Sequence, residues 1–223
     1  MSIKAVTYTK DYKLSPHFAL REFRCDSGSK TVKYSEETIA LLEKIFETCA
    51  NVGKAIITSG YRTPEQSPKK GGTKDDGHTV GIAVDVKWYD KNNNLIAPKY
   101  IACVAQDIGF TGIGLMKNSI HLDTRTTANY KNGKWWGDET KEYSLSANGK
   151  DFYNYCGLSR EEVDKVLGRQ TKASPAPDRT AELEAEIEKL KAELESLTKI
   201  NKENEAKAEQ YKAIIENIKK LVQ

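Results

Sequence analysis

The stretch DDGHTVGIAVDV, Asp75 to Val86, sets one of the chain's three histidines beside two acids, then runs through small and apolar residues into an aspartate flanked by valines. A run this apolar reads as a buried strand, which makes Asp85 a carboxylate in a core, where it needs a compensating partner. A second isolated histidine, His121, sits in another strand-like run, SIHLDT, residues 119–124. Working outward, further strands read at 55–58, 82–89 and 112–116, with a helix over 97–109. Residues 35–50 place Ile39, Leu42, Phe46 and Cys49 at three- and four-residue spacing behind a Ser35 cap, an amphipathic helix packed on a core. SREEVDKVLG, 159–168, has a capping box in Ser159 and Glu162 and a terminal Gly168. Strands and helices segregated in this way predict an α+β domain over residues 1–168, a small and mostly antiparallel sheet with flanking helices.

Past that domain, residues 169–179 are rich in Pro, Ala and polar residues and read as a linker. Residues 180–223 then repeat in sevens. Leu183, Leu190, Leu197, Asn204, Tyr211 and Ile218 occupy one seam position, and Ile187, Leu194, Asn201, Ala208, Ile215 and Val222 the other, the pattern of a coiled-coil helix. Ile187 among leucines, with Asn201 in the seam, favours two parallel strands. Ile200, Ile214 and Leu221 widen the stripe and leave a trimer, an antiparallel pair, packing on the body or a single solvated helix open. The expectation is a homo-oligomer through residues 183–222.

The net charge of +3 divides unevenly. Residues 180–223 hold ten Glu against eight Lys, so residues 1–179 carry +5, a balance compatible with an anionic target such as a bacterial wall. No basic stripe with interleaved aromatics points to nucleic acid. No apolar run approaches the roughly 20 residues of a membrane span, and the first residues lack the apolar centre of a secretory signal. These features predict no membrane insertion and synthesis in a cytoplasm without a signal peptide. Cys25, Cys49, Cys103 and Cys156 lie far apart with no C-x-x-C pair, so they read as reduced thiols, with two disulfides as the alternative.

Two histidines and one carboxylate leave a fourth tetrahedral position for water, which is how catalytic zinc sites are built. His78, Asp85 and His121 are the candidate ligands, although a loop histidine is often a surface residue and an Asp between valines can be a satisfied structural carboxylate. The segments SGYRTPEQ (59–66), KKGGTKDDGH (69–78), GIAVDV (81–86) and GIGLMKNSIHLDTR (112–125), preceded by LSPHFALREFRC, carry a resemblance in their order. The chain resembles, over about residues 13–125, the zinc D-Ala-D-Ala carboxypeptidase and L-Ala-D-Glu endopeptidase family. Those are cell-wall peptidases related in fold to the hedgehog signalling domain, and many phage endolysins belong to them. The resemblance implies that His78, Asp85 and His121 bind one zinc ion. It also implies that Arg62 faces an oxyanion or a peptide carboxylate, the alternative being a structural Arg–carboxylate pair. Ser59 and Gln66 would shape the same cleft.

Two positions depart from the family pattern. Several members carry a Glu or Asp general base three residues before the last histidine, where this chain has Asn118, which cannot take a proton. A Ser two residues before the first histidine is Asp76 here, which joins the candidate substrate contacts. Residues two apart on a strand share a face, so Asp123 is expected beside His121, either as the base or as an acid orienting that histidine. Asp75 and Asp76 are further acids nearby, and His17 reads as structural. Trp88, Trp135, Trp136, Tyr130 and Tyr143 line either a groove or the core. NYKNGKWWGDETKEY, 129–143, suggests a hairpin turning at Asn-Gly. Together these features predict a zinc metallopeptidase hydrolysing the peptide stem of bacterial peptidoglycan, of phage or prophage endolysin type. The alternative is a non-catalytic zinc-binding module for wall recognition or phage assembly, oligomerised by the coiled coil.

Overall fold

Short, largely buried strands build the part of the sheet that carries the histidines. The structure, a computed structural model, describes residues 2–128, 130 and 133–169, and beyond them residues 195, 196, 198, 201, 202, 204, 205, 207–212, 214, 215 and 219. β1 (Ile3–Thr7) and β2 (Thr31–Ser35) form an antiparallel ribbon. β3 (Val52–Ser59), β4 (Ala83–Asp90), β5 (Gly112–Leu115), β6 (Ile120–Asp123), β7 (Trp135–Asp138) and β8 (Tyr143–Ser144) form a six-stranded sheet in the order β3-β4-β6-β5-β7-β8. Every neighbouring pair in it is antiparallel except β5 and β7, which run parallel.

Among the described residues up to 169, the α-helices are α1 (Glu36–Thr48), α2 (Gly77–Val80), α3 (Pro98–Ile108), α4 (Phe152–Cys156) and α5 (Arg160–Leu167). The start of β4 is buried on both faces. Val84, Val86 and Trp88 enter one hydrophobic cluster with Leu42 and Ile45 of α1, Ile101 and Val104 of α3, Ile113 of β5 and Leu122 of β6. Each fully buried side chain of this size contributes about 1.5–3 kcal/mol of burial free energy. Asp85 lies on the other face of β4, so the same alternation that fills the core aims a carboxylate away from it.

The expected elements are present with small shifts at their ends. α1 starts behind Ser35, whose hydroxyl accepts from the Thr38 amide at 3.3 Å. α3 begins with Pro98 at its first turn and ends at Gly109, whose φ of 109° only glycine adopts readily. α5 has the expected capping box and closes on Gly168. The turn expected at Asn132–Gly133 falls at Asn132, outside the described residues. β7 runs parallel to β5, and the chain reverses over residues 139–142, with Glu142 at a φ of 53°, to pair β8 with β7. β1, α2 and α4 are too short for a periodic signal. All four cysteines are free thiols.

The chain divides into two units, Met1–Thr171 and Lys172–Gln223. The expected linker and most seam positions of the second unit lie outside the described residues. Asn201, Asn204, Ala208, Tyr211 and Ile215 of the seams are described, helical and exposed. No helix among the described residues is long and apolar enough to cross a membrane.

Candidate active site

Three elements bring the candidate ligands together. α2 is a single turn started by Asp76, whose carboxylate accepts from the Thr79 amide at 3.0 Å and also from Ser67 Oγ and the Thr73 amide. It stops at Gly81, which has a φ of 93°. That turn presents His78, 3% exposed, above the row where β4 and β6 pair Asp85 with His121. Gly60, at the end of β3, approaches so closely that a Cβ would strike the Phe23 backbone. Its carbonyl accepts from His78 Nδ1 at 2.8 Å.

This bond leaves His78 Nε2 pointing at Asp85 Oδ1, 3.3 Å away, while His121 Nδ1 lies 3.0 Å from the same oxygen. His121 Nε2 is committed elsewhere, donating to Asp123 Oδ2 at 3.0 Å. One nitrogen of each ring is thus pinned by an acceptor and the other converges with Asp85, the three ligand atoms lying within 4.8 Å of one another. Tetrahedral zinc with bonds of about 2.0–2.1 Å spaces its ligand atoms by about 3.3 Å, close to the two separations from Asp85 Oδ1. Outer acceptors that fix which ring nitrogen faces the metal are the usual companions of such ligands.

Residues 16–123 match the family model described as Peptidase M15. This segment is similar to the Peptidase M15 family. Neither the search of curated proteins nor that of solved structures found a match.

The electrostatics of the M15-like domain concentrate positive charge on the trio. Burial works to raise the Asp85 carboxyl, but His121 and His78 overcome it and hold Asp85 far below the ordinary carboxylate range. Burial lowers His121, yet Asp123 and Asp85 together lift it to about 10. Arg62 adds a further cation, donating through Nη2 to Asp85 Oδ2 at 2.7 Å and through Nε to Ser59 Oγ at 2.8 Å. Of the two readings of Arg62, the geometry displays the Arg–carboxylate pair. The donor set of two imidazoles and one anionic oxygen, each braced from behind, fits a zinc ion.

Asp123 is fully buried behind His121. Arg125 holds both of its oxygens, and together with His121 keeps its carboxyl well below the usual range against burial. Arg125 in turn lies 4.9 Å from the centre of the Tyr130 ring and 5.3 Å from that of Trp135.

The trio opens into a cleft of about 980 Å³, lined also by Arg62, Asp76, Arg125, Tyr130, Trp135, Glu139 and Tyr143. Ser59 and Gln66 do not line it. They border a small separate depression with Arg24 and Tyr61. Trp88 is a core residue, 1% exposed, and Trp136 packs against Phe152, so of the three tryptophans only Trp135 borders the cleft. His17 stacks on Phe46 at 3.8 Å and pairs with Glu43, in keeping with a structural role. Asn118 is exposed in the turn between β5 and β6. Glu139 was not among the residues singled out by sequence, and its one signal is the period-two run Trp135, Gly137, Glu139 leading into the cleft.

Proposed function

We propose that the M15-like domain is a zinc peptidase acting on the peptide stems of bacterial peptidoglycan. The observation that carries this reading is the convergence of His78 Nε2, Asp85 Oδ1 and His121 Nδ1 on the wall of a cleft of peptide size. These three atoms would hold one zinc ion. When bound, zinc supplies a Lewis acid that polarises the scissile carbonyl and lowers the pKa of water. The protein's own share is positioning. Gly60 and Asp123 fix the two imidazoles, and Arg62 fixes the Asp85 carboxylate. Trp135 and Tyr130 offer flat apolar surface to an extended peptide or glycan.

The positive balance of residues 1–179 suits an anionic wall polymer. In this reading the protein is a phage or prophage lysin that pairs with a second copy through residues 183–222. Tyr211, Ile214 and Ile215, exposed on helical residues of that segment, supply apolar surface for the pairing. Two binding domains on one oligomer would raise avidity for a repetitive surface.

The test is mass spectrometry of purified peptidoglycan digested by the intact protein, with and without a chelator, beside a His121→Ala control. New stem fragments that vanish on chelation and in the variant are expected, and their masses distinguish cleavage at D-Ala-D-Ala from cleavage at L-Ala-D-Glu. A second reading, a zinc-holding recognition module without turnover, is favoured by one observation, the amide Asn118 where relatives carry an acid. Protein that contains zinc yet leaves every wall type intact would establish that reading instead.

A further inference from the structure

One row of residues crosses the whole sheet at the level of the histidines: Ser59, Asp85, His121, Gly114, Gly137 and Ser144. Beyond His121 this row loses its side chains for two strands, and other groups fill the space. A Cβ on Gly114 would run into Glu139 Oε1 and come within 3.0 Å of the Trp135 ring. A Cβ on Gly137 would come within 2.6 Å of the same ring. The two glycines therefore form a recess beside His121, occupied by a carboxylate and an indole.

The backbone fixes Glu139 there. Its amide donates to the Leu115 carbonyl at 2.9 Å, prolonging the β5–β7 ladder by one residue. Trp135, Gly137 and Glu139 consequently share the cleft face. The Asp138 carboxylate is occupied, accepting from the hydroxyls of Thr140 and Tyr155.

What distinguishes Glu139 from Asp123, Asp76 and Asp75 is that it has no structural task. Both Asp123 oxygens are taken by Arg125 and His121, Asp76 caps α2, and Asp75 accepts from Thr73. Among the described residues the Glu139 carboxylate has neither a hydrogen bond nor an ion-pair partner, although it lines the cleft and is open to solvent. The cleft walls and the nearby Asp85 charge also hold it above the ordinary glutamate range, against the pull of His121.

We propose that Glu139 is the general base of this peptidase, in place of an acid at position 118, an assignment that rests on the peptidase reading above. A water gives a proton to the Glu139 carboxylate as its oxygen bonds to the carbonyl carbon of the scissile amide. Glu139 then passes that proton to the amide nitrogen as the C–N bond breaks, releasing an acid and an amine. Asp123, enclosed by Arg125, acts through His121 as a positioning residue.

The experiment compares the full-length wild-type protein with Glu139→Gln, Glu139→Ala and Asp123→Asn, each reconstituted with zinc. Three quantities are read: zinc per chain by atomic emission, affinity for a purified stem peptide by calorimetry, and turnover of that peptide. Glu139→Gln is expected to keep the wild-type zinc content and peptide affinity while turnover falls by about 10²–10⁴-fold. Added formate should restore part of the turnover of Glu139→Ala, by placing a small carboxylate in the emptied recess. Turnover of Glu139→Gln within about threefold of wild type, a fall smaller than general-base catalysis provides, would overturn the assignment. So would loss of its zinc, which would make Glu139 part of the metal's support. Wild-type protein that holds zinc and binds the stem without cutting it would overturn the peptidase reading and the base together, an outcome distinct from failure of the base alone.

Discussion

Replacing Gly114 by alanine adds a single methyl group next to the proposed base without altering any ionisable residue. Gly114 lies in β5 outside the left-handed region, so an L-residue fits its backbone. The new Cβ would sit well inside van der Waals contact of Glu139 Oε1 and 3.0–3.1 Å from two Trp135 ring atoms. The carboxylate ends a flexible side chain and must withdraw by roughly 1 Å to restore ordinary contact, while the indole gives by a few tenths. The overpacking costs about 1–3 kcal/mol, offset by the roughly 0.5–1 kcal/mol that alanine regains over glycine in a strand. The fold should therefore survive with a modest drop in Tm. Displacing a reacting group by about 1 Å costs on the order of 10²-fold in rate, so Gly114→Ala is expected to lose that much kcat with KM little changed. The assay is release of stem fragments followed by chromatography and mass spectrometry, on protein whose zinc content and Tm have been measured. In a Glu139→Gln background the same methyl should cost almost nothing more, because both changes remove one function. A Gly114→Ala enzyme with full kcat and unchanged zinc would refute the reasoning, as would strict additivity of the two substitutions.

Asp123→Asn leaves Arg125 without its buried anionic partner, which should cost about 3–5 kcal/mol in urea unfolding and weaken zinc about 10–100-fold in competition with a chromophoric chelator; a variant with wild-type stability and affinity would show that the Asp123 charge supports neither. Chelation should lower Tm, since ligand at about 1,000 times its Kd stabilises by about 4 kcal/mol, and calorimetry with and without added zinc checks this; coincident melts would count against a metal in the site. The chelated protein should also respond to pH. His121 is raised to about 10, so its contribution to stability is complete below its ordinary value near 6.5 and is lost as pH climbs through about 10. Asp85 and Asp123 are depressed, so theirs is present above about pH 4 and is lost as pH falls below that. The Tm gap between zinc-loaded and chelated protein should therefore widen from about pH 6.5 to 10, and a constant gap would contradict the ion pairing around His121.

Much of the metal trio was legible because it obeys local rules. An aspartate alternating with core valines on β4 must face away from the core, and a histidine in the paired strand must meet it at some register. The placement of Asp123 followed from strand parity, but its choice of partner did not. The sequence shows an acid two residues from His121, whereas the arginine that encloses it reveals itself only in three dimensions. Asp76, expected as a substrate contact from the family position it occupies, borders the cleft and also caps α2, a helix of four residues that periodicity does not mark. Glu139 was hidden for a topological reason. It reaches the cleft through a parallel pairing of β7 with β5, which leaves no turn signal, and the Asn-Gly dipeptide upstream pointed to a different hairpin. The coiled-coil repeat is the converse case, a strong periodic signal that falls mostly on residues outside those described.

The matched M15 segment ends at Asp123, before β7 begins, yet the cleft is finished by Trp135 and Glu139. The metal ligands and the far wall thus belong to successive stretches of chain, brought together where β7 pairs with β5. Such a division of labour lets one part diversify while the other stands still. Insertions or substitutions after residue 125 can reshape what the cleft accepts, and even relocate an acid, without disturbing a single bond that positions the histidines. A chain with an amide at position 118 could be an enzyme by this route, with the acid supplied from the end of β7.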